Sequence, residues 1–292
     1  MSNFAHRFNE LFKQYLKLHL VSEGVIHPSK YPQFITGYKI FNGFYRGLNN
    51  YFLNESNFQS IKEIWDNNQE ISFSCNLLGA HLLTIFERMN FDPDTVASFN
   101  PESEPFELCI NFYKFNENFN RDLILLYLQS REFKILLGHE LFHFLQTLTY
   151  GKDIMKVFVN KQNQSSENYQ NSLAEIEACV FMTMLSAKEQ NYKIEDFSQF
   201  LQYVNSFKDS FYTTAKNSIL NNIPSAKDIF EHNIEFLTEA LPEDQEVKFE
   251  IKGVTPTRRL KPLPPYKLNK QALIEMGIIP YEGKSVQISE NK

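Results

Sequence analysis

Apolar residues fall at helical spacing along most of the chain and alternate with polar ones only over short stretches. Phe4, Phe8, Leu11, Phe12, Tyr15 and Leu18 form a stripe that predicts an amphipathic helix over 2–20, with Arg7, Lys13 and Lys17 outside it. Residues 35–53 read as a second helix, and Asn54-Glu55-Ser56 as the cap of a third that runs through Trp65. Residues 70–75 alternate as a strand does, whereas 77–89 returns to helical periodicity. Phe106, Leu108, Ile110 and Phe112 alternate with Glu107, Cys109, Asn111 and Tyr113, the clearest half-buried strand in the chain. The apolar run 122–129 has the length and flanks of a buried strand, although its periodicity also fits a helix entry. Ser130 then caps a helix from Arg131 to about Thr149, stopped by Tyr150-Gly151. The polar stretch 160–168 reads as a loop, followed by a helix from about Ser166 to Glu189 and two or three more between Ile194 and Ala240.

Composition narrows the fold class. With 28 Phe and 14 Tyr but only 10 Gly in 292 residues, the chain lacks the turn glycines that many-stranded sheets use. A predominantly helical α+β fold with one small sheet is expected. Pro256, Pro262, Pro264, Pro265 and Pro280 crowd the last part of the chain, with Arg258, Arg259 and Lys261 between them. That stretch predicts an extended proline-rich arm over 251–292, attached to one continuous domain over 1–250. Within the arm, Arg259 to Pro265 has the basic-xx-Pro-xx-Pro spacing of a ligand for a polyproline-binding groove, and also that of an arm packed on its own domain.

Charge and cysteine usage exclude several partners. The 29 basic and 35 acidic residues give a net charge of −6, so no nucleic-acid footprint is present. No run of about 18 apolar residues exists to span a bilayer. Charges at Arg7, Glu10, Lys13 and Lys17 interrupt the apolar stretch a signal peptide would need. Cys75, Cys109 and Cys179 are odd in number and show no CxxC spacing, which argues against a disulfide framework and for a reducing, cytoplasmic compartment.

One constellation carries chemistry. His139-Glu140-Leu141-Phe142-His143 is an HExxH motif inside the helix that starts after Ser130. Histidines four apart on a helix share a face, so both imidazoles reach one divalent ion, about 2.0–2.1 Å away for Zn²⁺. The glutamate between them stands where a general base can take a proton from water. A third ligand must come from elsewhere: Gln146 and Thr149 occupy the glycine and third-histidine positions of a metzincin, which removes that class. Glu175 and Glu177 lie in an otherwise apolar run, Leu173 to Met182, where a carboxylate is costly unless paired or metal-bound. Glu175 shares its face with Ala178, Cys179 and Met182, small enough in part to let two helices approach. Glu177 lies about 200° round the helix, and stands as the alternative ligand or as an outer partner of the site. His232, Tyr150, Tyr169 and Tyr192 are candidates to stabilise a developing oxyanion, and spacing does not choose among them.

The strand, the HisGluLeuPheHis helix and the later GluIleGluAlaCysValPheMet segment resemble the zincin metallopeptidases of the glutamate-ligand (gluzincin) type. The later segment also resembles, more loosely, the ExxA pattern of ImmA/IrrE-like peptidases, with Cys179 where that family often has Asn. The resemblance spans about 105–188. It implies a zincin-like fold with a small sheet beside the active-site helix, Zn²⁺ held by His139, His143 and Glu175, and hydrolysis of a peptide bond in a protein substrate with Glu140 as base. In zincins a sheet edge above that helix takes up substrate as an added strand, a role open to Phe106–Phe112 unless that strand is interior. The competing class is a non-catalytic interaction protein in which a structural or vestigial metal site supports a binding surface.

Overall fold

Local signals set the element ends. Asn54 separates helix α1 (Phe34–Leu53) from helix α2 (Glu55–Asp66), and its side-chain oxygen accepts from the Asn57 N–H as an N-cap does. A computed structural model of the chain describes residues 33–88, 97–152, 155, 172–207, 212–238 and 247–254. The helix expected over 2–20, the loop over 160–168 and the proline-rich stretch beyond 254 lie outside the described residues.

Strands β1 (Glu70–Leu77) and β2 (Ala80–Glu87) form an antiparallel hairpin with Leu77 opposite Ala80. This corrects the helix expected over 77–89. Leu78 and Gly79 take φ of 50° and 80°, the two positive values that the commonest two-residue hairpin turn requires. The turn is hidden in the sequence because leucine stands where asparagine or aspartate normally announces it. Strands β3 (Ala97–Asn100), β4 (Phe106–Asn111) and β5 (Glu250–Val254) complete a mixed sheet of order β3-β4-β2-β1-β5. Only the β2–β4 pairing is parallel. Strand β4 is therefore interior, and the short β3, without a signal in the sequence, forms the edge in its place.

The run 122–129 is helical, not a strand. In helix α3 (Arg121–Gln129) the Asn120 side chain accepts from the N–H groups of Asp122 and Leu123, which fixes the start. Ile124 and Leu128 face inward one turn apart, while Leu123 and Leu126 are 45% and 66% exposed. Leucines on the outer face make the run look continuously buried. Helix α4 (Arg131–Tyr150) begins and ends as expected: Ser130 Oγ accepts from the Phe133 N–H, and Gly151, at φ 89°, leaves the helix at the other end. Helix α5 (Leu173–Glu189) is followed by α6 (Phe197–Asn205), α7 (Thr213–Leu220), α8 (Ile223–His232) and α9 (Glu235–Thr238). Pro224 sits in the first turn of α8, where its missing N–H costs nothing.

Two of the clusters built by the aromatic residues pack against α1. Phe142 and Phe181 stack at 4.5 Å, with Phe34 edge-on to both, and join α1, α4 and α5. Phe73, Phe86, Phe112 and Phe52 fill the space between the sheet and α1, with Phe86 and Phe112 at 4.4 Å. Such pairs add about 0.5–1.5 kcal/mol each beyond the area they bury. Phe144, on the other face of α4, packs edge-on against Phe99 of β3 and Phe106 of β4, so the sheet lies directly beside this helix. Among the described residues the fold is α+β and mostly helical, with one five-stranded sheet. Among the described residues, no helix is long and apolar enough to cross a membrane.

None of the three cysteines is in a disulfide, and all three are buried. Desolvation pushes the Cys75 thiol up to about 12, and raises Cys179 too, with the Glu175 charge adding to the effect. Thiolate, not thiol, is the reactive form. A thiol-disulfide reagent at pH 8 is therefore expected to label none of the three in the folded protein and all of them in denaturant. Labelling of Cys75 at the rate of a free thiol before unfolding would contradict this packing.

Candidate metal centre

A polar stripe runs along α4. His139, His143, Gln146 and Tyr150 recur at intervals of four, three and four, which places them on one face. Helix α5 lies antiparallel to that face: Arg131 bonds Ser186 at one end, and Gln146 bonds the Ala174 carbonyl at the other. Gly138 permits the approach, since a Cβ there would come within 2.5 Å of Leu185 Cδ2.

The two histidines and Glu175 converge. His139 Nε2 and His143 Nε2 are 3.0 Å apart, Glu175 Oε1 is 3.2 Å from His143 Nε2, and Glu175 Oε2 is 3.6 Å from His139 Nε2. Ligands about 2.0–2.1 Å from a tetrahedral zinc ion stand about 3.3 Å from one another. The three separations bracket that value. Glu175 lies in the first turn of α5, where the helix dipole favours a carboxylate, and its own N–H is capped by Ser172. Ser172 and Glu175 have capping-box spacing, yet the carboxylate turns to the histidines instead. It is only 4% exposed, and among the described residues its Oε1 has no hydrogen-bond partner. A buried carboxylate oxygen left open beside two imidazole nitrogens is a donor set that fits a divalent ion such as Zn²⁺.

The electrostatics of the three groups are strongly linked. Burial alone would raise Glu175, but His143 and His139 outweigh it and hold the carboxyl well below its ordinary 4.5. Burial alone would lower His143, but Glu175, with Glu140 and Gln146 adding, raises it from 6.5 to about 9. A carboxyl held low stabilises the fold above its unfolded pKa and loses that contribution on acidification. A histidine held high stabilises below its unfolded pKa and loses that contribution as pH rises through the folded value. The metal-free pair thus contributes most between about pH 4.5 and 6.5. Thermal midpoints of the metal-free protein are expected to fall between pH 6.5 and 9, while metal affinity rises over the same range as the proton on His143 leaves. A metal-free midpoint that climbs across this interval would contradict the pairing.

Glu177 is not part of the converging group. It accepts from Gln146 Nε2 at 2.8 Å and from the Tyr150 hydroxyl at 2.8 Å, and desolvation, outweighing those bonds, raises it to about 7. Gln146 Oε1 in turn lies 2.7 Å from His143 Nδ1. Spacing could have found this residue, because Gln146 and Tyr150 continue the stripe of the two histidines. Glu140 turns toward the sheet, where its Oε2 accepts from the Phe99 N–H of the edge strand at 2.8 Å.

Three of the four oxyanion candidates lie among the described residues. The Tyr150 hydroxyl is committed to Glu177. Tyr192 is exposed and packs at a tilt against Tyr203, and its N–H bonds the Ala187 carbonyl, about 18 Å along α5 from Glu175 by helical rise. His232 is exposed at the end of α8, and Tyr169 lies outside the described residues. Comparison with protein-family models, with curated proteins and with solved structures finds no match to this chain.

Proposed function

We propose that this chain is a zinc-dependent endopeptidase that hydrolyses a peptide bond in a protein substrate. The observation that carries the reading is the convergence of His139 Nε2, His143 Nε2 and a buried Glu175 oxygen at separations of 3.0–3.6 Å, with Glu140 adjoining on the same helix. The resemblance of this motif pair to the glutamate-ligand zincins supports it. A zinc ion held by these three residues would bring the pKa of a coordinated water near 7 and polarise the scissile carbonyl. Glu140 supplies the proton traffic: its carboxylate takes a proton from the attacking water and hands it to the departing amine nitrogen. The Phe99 N–H that now holds Glu140 Oε2 belongs to edge strand β3, so a substrate strand laid along that edge passes beside the base. Three cysteines outside any disulfide suit a reducing compartment, and the cytoplasm is the proposed location.

The test is metal-dependent proteolysis. The purified full chain, supplied with one equivalent of zinc, is expected to cleave members of a peptide library read by mass spectrometry. A zinc chelator should stop cleavage, and added zinc restore it. A protein that binds zinc stoichiometrically but cleaves nothing across the library favours the non-catalytic interaction protein.

A further inference from the structure

Gln146 is wholly buried and makes three hydrogen bonds whose directions cannot be exchanged. Its amide nitrogen lies 2.9 Å from the Ala174 carbonyl oxygen and 2.8 Å from Glu177 Oε2. A backbone carbonyl accepts and never donates, so the amide NH₂ must face Ala174. The amide oxygen is then left toward His143 Nδ1, at 2.7 Å. That oxygen also only accepts, so Nδ1 must carry the proton. In the neutral imidazole the lone pair then falls on Nε2, the nitrogen that faces His139 and Glu175.

On the footing of the zinc-peptidase reading, we propose that Gln146 is a positioning residue of the metal site. Anchored by the Ala174 carbonyl and Glu177, it holds His143 in the Nδ1–H form and aims Nε2 at the ion. Ala174 immediately precedes Glu175, so the turn that delivers the carboxylate ligand also orients the amide that sets the imidazole. One side chain thereby registers ligands from two helices. Tyr150 holds the far oxygen of Glu177, and a flipped amide would set its oxygen against two acceptors. Among the described residues His139 has no counterpart, since its Nδ1 is buried without a hydrogen-bond partner there. The effect of Gln146 is therefore confined to His143.

The full chain, labelled with ¹⁵N-histidine, tests this by ring-nitrogen NMR and by zinc competition against a chromophoric chelator. The expected spectrum of zinc-loaded protein shows His143 protonated at Nδ1 and metal-bound at Nε2. In the metal-free protein the His143 Nδ1–H should exchange with water far more slowly than that of a free imidazole. Gln146→Met, which removes the acceptor, should raise the zinc Kd about 10- to 100-fold, the usual effect of losing an outer partner of a ligand. Glu177→Gln keeps an acceptor oxygen for the amide and should stay within about threefold of the parent. Zinc coordinated through His143 Nδ1, fast exchange of that proton, or a Gln146→Met Kd within about twofold of the parent would overturn the proposal and leave the peptidase reading standing. Should Gln146→Met not fold, the spectra of the unsubstituted protein decide. Unsubstituted protein that takes up no zinc sinks the peptidase reading, and slow exchange in its metal-free spectrum would still support the role of Gln146.

Discussion

Glu175→Ala is expected to weaken zinc binding by more than about 100-fold, because even the outer partners of a ligating histidine typically contribute 10- to 100-fold. The substitution removes the carboxylate that faces both imidazole nitrogens, at 3.2 and 3.6 Å. Removing one member of a buried ion pair costs about 3–5 kcal/mol when the remaining charge is trapped. His143 is not trapped: freed of Glu175, it can give up its proton, so the metal-free fold should survive with a smaller loss. Glu177→Gln, two residues along the same helix, should spare the metal, since Glu177 faces Gln146 and Tyr150. Isothermal titration of zinc into the two variants separates the roles. Equal losses in both would show that the carboxylates share the ion.

Glu140→Gln is expected to keep zinc and lose turnover, with kcat falling about 10²- to 10⁴-fold, the range that a positioned acid–base group supplies. Its amide oxygen can still accept from the Phe99 N–H, as Glu140 Oε2 does, so the side chain should stay in place while losing its basicity. Stopped assays on any peptide that the parent cleaves, paired with metal analysis of the variant, give the reading. Activity within a few-fold of the parent would remove Glu140 from the proton transfer.

The group that could hold a metal is legible in the sequence because its parts are local. HExxH needs only helical spacing, the helix that carries it declares both ends through Ser130 and Gly151, and Glu175 and Glu177 both stand out as charges in an apolar run. What the sequence hid was set by partners distant in the chain. The edge strand β3 is only four residues, Ala97–Asn100, and exists because it pairs with β4. Strand β2 masqueraded as helix since its turn uses Leu78 in a left-handed conformation, and α3 masqueraded as a strand since its exposed face also carries leucines. At Gln146 the sequence shows only the absence of a metzincin glycine. Its partner Ala174 lies 28 positions away, and only the antiparallel packing of α4 on α5 brings the two together.

Anomalous scattering at the zinc edge, from crystals of the full chain grown with one equivalent of zinc, tests the metal centre most directly. The expected map holds one ion per chain, about 2.0–2.2 Å from His139 Nε2, His143 Nε2 and a Glu175 oxygen. A stoichiometric ion bound elsewhere, or one held by Glu177 with Glu175 turned away, would contradict the site.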